Sequence, residues 1–103
     1  MKQIFITTKV SLDYDGVLST EKGKELAKRL ISEGKSVSII SARDSVDGML
    51  STAEEVGIAK NQIHATGSNK AKVEKVKELN ISTHYDNNHD VIAQLPGIGK
   101  LFN

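Results

Sequence analysis

The sequence predicts an α/β fold: a mainly parallel central sheet of about five strands, with helices on both faces, formed as a single domain over residues 1–103. Three observations carry this expectation. A short apolar strand, a loop and an amphipathic helix recur along the chain. The links between them are only a few residues long, which suits parallel strands joined by right-handed crossover helices. Each apolar run also ends in polar residues, as strands do where a sheet presents a site beyond its carboxyl edge.

Lys9–Leu12 alternates and runs into Asp13, so it reads as the first strand; Ile4, Phe5 and Ile6 either extend it or lead into it. The first helix takes Ser19 or Thr20 as its N-cap, carries Leu26, Ala27, Leu30 and Ile31 on one face, and closes at Gly34. Val37, Ile39 and Ile40 form the second strand, ending in Ser41. A helix starting near Asp44 or Ser45 follows, with Val46, Met49, Leu50, Ala53 and Val56 as its apolar stripe, Gly57 as its stop and Ile58 packing back. Gln62–Ala65 is a short third strand. Ser68 caps a third helix marked by Val73, Val76 and Leu79, and Asn80 suits a left-handed helix end. Ile81–Tyr85 reads as the fourth strand, ending in Asp86. A short helix with Val91, Ile92 and Leu95 precedes Pro96-Gly97, and Lys100–Phe102 is expected as a last, edge strand.

Composition narrows the function classes. The net charge of +1 provides no strong field for nucleic acid, and the lysines of the third helix alternate with Glu74 and Glu78 without interleaved aromatics. There is no cysteine, hence no disulfide framework and no thiolate metal site. No run approaches a membrane span, and the N-terminal apolar patch is short for a signal sequence, so a cytoplasmic protein is expected. His64, His84 and His89 lack metal-ligand spacing and are expected to be structural or solvent-facing.

The strand ends gather the chemistry. They hold Asp13-Tyr14-Asp15-Gly16, Ser41-Ala42-Arg43 and Asp86-Asn87-Asn88-His89-Asp90, and the third helix opens with Gly67-Ser68-Asn69-Lys70. Clustered carboxylates repel one another, and an all-oxygen set with water suits Mg²⁺. A hydroxyl and an amine are what a phosphoryl group requires around its oxygens. Each residue also has an ordinary reading. Asp-Gly is a common turn, Ser41 suits a cap, Lys70 pairs with Glu74 at i+4, Asp86-Asn87-Asn88 can be a turn and cap, and Arg43 either meets phosphate or pairs locally. Lys72 competes with Lys70 for the amine's role; Lys70 is preferred because it lies in the first helical turn.

Taken in order, these motifs resemble the haloacid dehalogenase superfamily of phosphohydrolases. Asp13-Tyr14-Asp15-Gly16-Val17 matches its first motif, Ser41 its second, Lys70 its third, and Asp86 with Asp90 its fourth. The resemblance spans residues 9 to 92 and implies a Rossmann-like three-layer fold and an Mg²⁺-dependent phosphatase. It casts Asp13 as nucleophile forming an aspartyl-phosphate, and Asp15 as the acid that protonates the leaving oxygen and then activates water. Mg²⁺ is expected on Asp13, Asp86, the Asp15 carbonyl and Asp90, directly or through water. Ser41, Ala42, Arg43 and Lys70 are expected to bind the phosphorylated substrate. Two departures stand out: Tyr85 precedes the fourth motif, and Asn87 replaces a second adjacent carboxylate. Many relatives insert a cap domain after the first motif or the third strand; here neither link has room for one. The open site that follows would suit a phosphate on a large substrate, or a lid supplied by a neighbouring copy in a homo-oligomer. Two other functions fit the same residues: a phosphate- and Mg²⁺-binding regulatory module of this fold, and a phospho-acceptor domain of the receiver kind. The second is disfavoured because the third strand ends in His64-Ala65-Thr66, without an acid.

Overall fold

The computed structural model describes residues 7–103; Ile4, Phe5 and Ile6 lie outside them. Five strands, β1 (Lys9–Leu12), β2 (Ser36–Ser41), β3 (Ile63–Ala65), β4 (Thr83–Asp86) and β5 (Gly99–Leu101), form one sheet in the order β3-β2-β1-β4-β5. Every neighbouring pair is parallel. Four helices, α1 (Glu21–Ser32), α2 (Leu50–Val56), α3 (Asn69–Glu78) and α4 (His89–Ala93), alternate with the strands. No helix among the described residues is long and apolar enough to cross a membrane.

Period-two alternation divides the sheet between two cores. Val10 and Leu12 of β1 and Val37 and Ile39 of β2 join Ala27, Leu30, Ala53 and Val56 from α1 and α2. Ile40 of β2 instead joins Val73 and Val76 of α3 and Val91 of α4. Helices therefore cover both faces. The links after β1 and β3 contain no inserted domain.

Most element ends follow their local chemistry. The side chain of Thr20, rather than Ser19, accepts from the Gly23 N–H and caps α1; Ser68 does the same for α3 through Ala71. Gly57 ends α2 with φ +93°, and Asn80 has φ +54°. Two boundaries differ from the sequence expectation by more than one residue. Helix α2 begins only at Leu50, after a 3₁₀ turn over Asp47–Met49. Strand β4 begins at Thr83, because the Ile81 N–H donates to the Val76 carbonyl and closes the end of α3 instead.

The strand order determines where a site can form. From β1 the chain winds outward through β2 to β3, then crosses to the other side of β1 for β4 and β5. The reversal falls between β1 and β4, and a crevice opens at the carboxyl ends of strands at such a switch point.

Candidate active site

Asp13 follows β1 and Asp86 ends β4, so the two lie side by side at that switch point. The Asp13 N–H donates to the Tyr85 carbonyl at 2.9 Å, which continues the ladder by one residue and fixes the two carboxylates as neighbours. Both residues are buried. Because Val10 and Leu12 point into the α1/α2 core, Ser11 and Asp13 point to the α3 face.

The cation that meets them there is Lys72. Its Nζ donates to Asp13 Oδ1 at 3.1 Å and to Asp86 Oδ2 at 3.0 Å, and its side chain is 3% exposed. Lys70, the lysine preferred on sequence, is exposed, and its side chain makes no hydrogen bond or ion pair among the described residues. Helical geometry explains the difference. Lys72 is four residues before Val76 on the buried stripe of α3, whereas Lys70 faces away from it. A lysine stem packs along apolar surface and carries its ammonium to the strand ends.

Two further buried groups complete the chain of contacts. His84 Nε2 is 2.9 Å from Asp86 Oδ2, and His84 Nδ1 is 2.7 Å from Ser11 Oγ. The backbone N–H of Asn88 donates to the other Asp86 oxygen at 2.9 Å. The sequence motifs do not include Ser11 or His84. The available signal was parity, since Ser11 and Asp13, like His84 and Asp86, are two residues apart on parallel strands that pair Ser11 with His84.

These surroundings push the two carboxyls apart. Burial and the adjacent Asp86 charge raise Asp13 above its ordinary value, and Lys72 only partly offsets them. Burial also pushes Asp86 upward, but the hydrogen bonds from His84 and Lys72 and the Lys72 charge outweigh it and leave Asp86 lowered. Asp86 is therefore the firm anion of the pair, and Asp13 the more basic oxygen.

The loop after Asp13 is a tight reversal. Asp15 (φ −66°, ψ 120°) and Gly16 (φ 75°, ψ 0°) are the central residues of a type II turn. Gly16 suits the turn because its φ is positive; a Cβ there would also displace the Asn87 side-chain amide that follows β4. The Leu18 N–H donates to the Asp13 carbonyl at 3.1 Å and closes the loop. Gly23 then lets α1 start against the Val17 carbonyl, which any Cβ would overlap.

Asp15 itself is turned to the surface. Arg43 grips its carboxylate through two hydrogen bonds, of 2.9 and 2.8 Å, and stacks over the Tyr14 ring at 4.9 Å. The hydrogen bond from Arg43, aided by the Arg43 charge, holds the Asp15 carboxyl below its ordinary value against the upward effect of burial. Gly48 leaves room for the guanidinium, since a Cβ there would lie 2.6 Å from Arg43 Nη1. Ser41, fully buried at the end of β2, accepts from the Arg43 backbone N–H at 3.1 Å; Ala42 is half-buried beside it. Asp90 is exposed, and its N–H donates to the capping side chain of Asn88. A cleft of about 610 Å³ lies beside edge strand β3 and α3, lined in part by Asp44, His64, Thr66, Glu74 and Lys75. None of the clustered acids lines it, so charge and burial rather than concavity single out the site.

Comparison with known proteins reveals the fold alone. No protein-family model matches the sequence, and no curated protein does. Among solved structures, a Vibrio cholerae protein provisionally assigned as a 3-deoxy-D-manno-octulosonate 8-phosphate phosphatase is similar at 18% identity and a TM-score of 0.56, over 85% of this chain and 62% of its own. A hypothetical protein from Xanthomonas campestris is similar at 17% identity and a TM-score of 0.59, over 92% of this chain and 63% of its own. The fold is thus a Rossmann-like α/β fold shared with these two structures, and among the described residues no domain is inserted after β1 or β3. The chain spans less than two thirds of the length of either structure.

Proposed function

We propose that this protein is a phosphatase that transfers the phosphoryl group of a phosphomonoester to Asp13 and then to water. The observation that carries the reading is the buried Asp13–Lys72–Asp86 cluster at the switch point of a parallel sheet, with Asp15 two residues beyond on a tight turn. The provisional phosphatase assignment of one structural neighbour agrees with it.

Mg²⁺ fits this cluster. Two buried carboxylates share one ammonium, which leaves an uncompensated negative charge, and the donors are hard oxygens. Among the described residues no three acids or histidines gather at ligating distance. A pair of carboxylates with retained waters is the pattern Mg²⁺ prefers. Asp13, Asp86 and the Asp15 carbonyl would hold the ion, with Asp90 reaching it only through water. Bound there, Mg²⁺ would neutralise phosphoryl oxygens as two anions approach.

The chain's own residues supply the remaining chemistry. An Asp13 oxygen attacks phosphorus; the new P–O bond forms as the bond to the leaving oxygen breaks, and Asp15 donates its proton to that oxygen. Water then attacks phosphorus, Asp15 takes its proton, phosphate departs and Asp13 is restored. Lys72 offsets the Asp13 charge, and Ser41, fully buried beneath the Arg43 backbone, must be uncovered before its hydroxyl can donate to a phosphoryl oxygen. The grip of Arg43 describes a resting state: Asp15 must leave the guanidinium before it can carry a proton, and a substrate anion is the natural group to take its place on Arg43. With no cap, the site suits a phosphate displayed on a large substrate.

The test is Asp13→Asn. Turnover of p-nitrophenyl phosphate with Mg²⁺ is expected to vanish. Because folding disfavours the charged form of Asp13, the variant should melt no lower than the wild type. Retained turnover in the folded variant would falsify the assignment.

A further inference from the structure

A histidine sits at the centre of the cluster, yet the reaction above does not use it. Ser11, His84 and Asp86 have the order and spacing of a nucleophilic triad, at 2.7 and 2.9 Å. All three are fully buried, so no substrate reaches Ser11 Oγ, and a nucleophilic role is excluded by access. Packing alone does not account for the residue either, since an apolar side chain would fill the same interior position without two polar atoms to satisfy.

We propose that His84 is a positioning residue that fixes the Asp86 carboxylate so that Lys72 is shared between Asp86 and Asp13. Its Nε2 faces a carboxylate oxygen, so Nε2 carries a proton and donates it to Asp86 Oδ2. Ser11 engages Nδ1 and locks the ring plane. Asp86 Oδ2 thus receives His84 and Lys72 together, while Oδ1 is held by the Asn88 N–H. With three donors set around it the carboxylate cannot rotate, and the ammonium it holds lies within reach of Asp13. The positioning role stands on this geometry; only its effect on turnover and on Mg²⁺ rests on the proposed phosphatase reading.

The experiment compares His84→Leu, which keeps apolar bulk, with His84→Gln, which keeps a donor near the Nε2 position. In the metal-free wild type, nitrogen NMR should show a protonated, slowly exchanging Nε2 on His84. The carboxyl carbon signals of both Asp86 and Asp13 should move in His84→Leu and return toward wild type in His84→Gln. Calorimetry with Mg²⁺ alone should show affinity weakened by about 10-fold or more in His84→Leu, the scale of lost outer-shell support, and largely restored in His84→Gln. A packing role predicts the reverse order, with Leu tolerated and Gln disruptive, and that result overturns the proposal. So does an unprotonated Nε2 in the wild type, which is read without any substitution should His84→Leu fail to fold. A wild type that binds no Mg²⁺ would refute the metal reading, and the carboxyl signals would still decide the role of His84.

Discussion

Replacing Lys72 by Met keeps the buried stem and removes only the charge. The ammonium lies 3.1 Å from Asp13 and 3.0 Å from Asp86. Without it, two adjacent carboxylates remain in a dry interior with no cation. Removing one partner of a buried ion pair costs about 3–5 kcal/mol. That is a large share of the roughly 5–15 kcal/mol that holds a typical domain together. In urea, where slopes for small proteins are about 1–3 kcal/mol per molar, the midpoint should fall by at least about 1 M. Lys70→Met is the control and should stay within about 0.5 kcal/mol of wild type. The loss should also shrink on acidification. Lys72 lowers both carboxyls, so the folded variant takes up a proton at a pH where the unfolded chain, titrating near 3.8, has already lost it. The folded variant therefore gains on the wild type as pH falls from neutrality toward the ordinary carboxylate range. Equal costs for the two lysines, or a gap that widens with acid, would refute the reasoning.

Two further perturbations examine the flanks of the site. In Arg43→Gln the Asp15 carboxyl should titrate closer to its ordinary value of 3.8, as read by carboxyl NMR. The sign follows from its depression in the wild type: any stability the pair contributes is present above 3.8 and disappears as pH falls through the lowered value. With Arg43 about two-fifths and Asp15 three-fifths exposed, the change in melting temperature should be small, and an unmoved Asp15 titration would show that the grip does not persist in solution. Gly23→Ala should destabilise by about 1–3 kcal/mol, because the new methyl meets a backbone carbonyl that cannot step aside. Helix propensity alone predicts a gain of roughly 1 kcal/mol, so a raised melting temperature would mean that α1 is free to shift.

Periodicity and caps made the architecture legible before any coordinate. Ser68, Asn80 and Gly57 sit where their side chains or backbone freedom required, and the alternating first strand runs into Asp13 as expected. Tertiary reach prevailed over local rules elsewhere. Lys70 was favoured for its place in the first turn of α3, whereas the stripe through Val73 and Val76 carries Lys72 inward. His84 lacks metal-ligand spacing, and sequence spacing cannot reveal its role because its partners come from β1 and from its own strand. Arg43 escaped a firm reading for a similar reason. Its partner Asp15 is 28 residues earlier, and the space it needs depends on Gly48 in a stretch expected to be regular helix.

The placement of β1 between β2 and β4 also sets when the site exists during folding. The contacts that define it join residues 59 and 73 positions apart, Asp13 with Lys72 and Ser11 with His84. A chain in which β2 has paired with β1 and β3 still lacks Asp86 and His84 and holds Asp13 at an open strand edge. Loop-closure entropy makes such distant pairings late events, and fluctuations that lift β4 and β5 dissolve the site while leaving the rest of the sheet in place. The Asp13 amide, bonded to the Tyr85 carbonyl across that seam, is therefore a single proton whose exchange rate reports how often the Asp13–Lys72–Asp86 cluster opens.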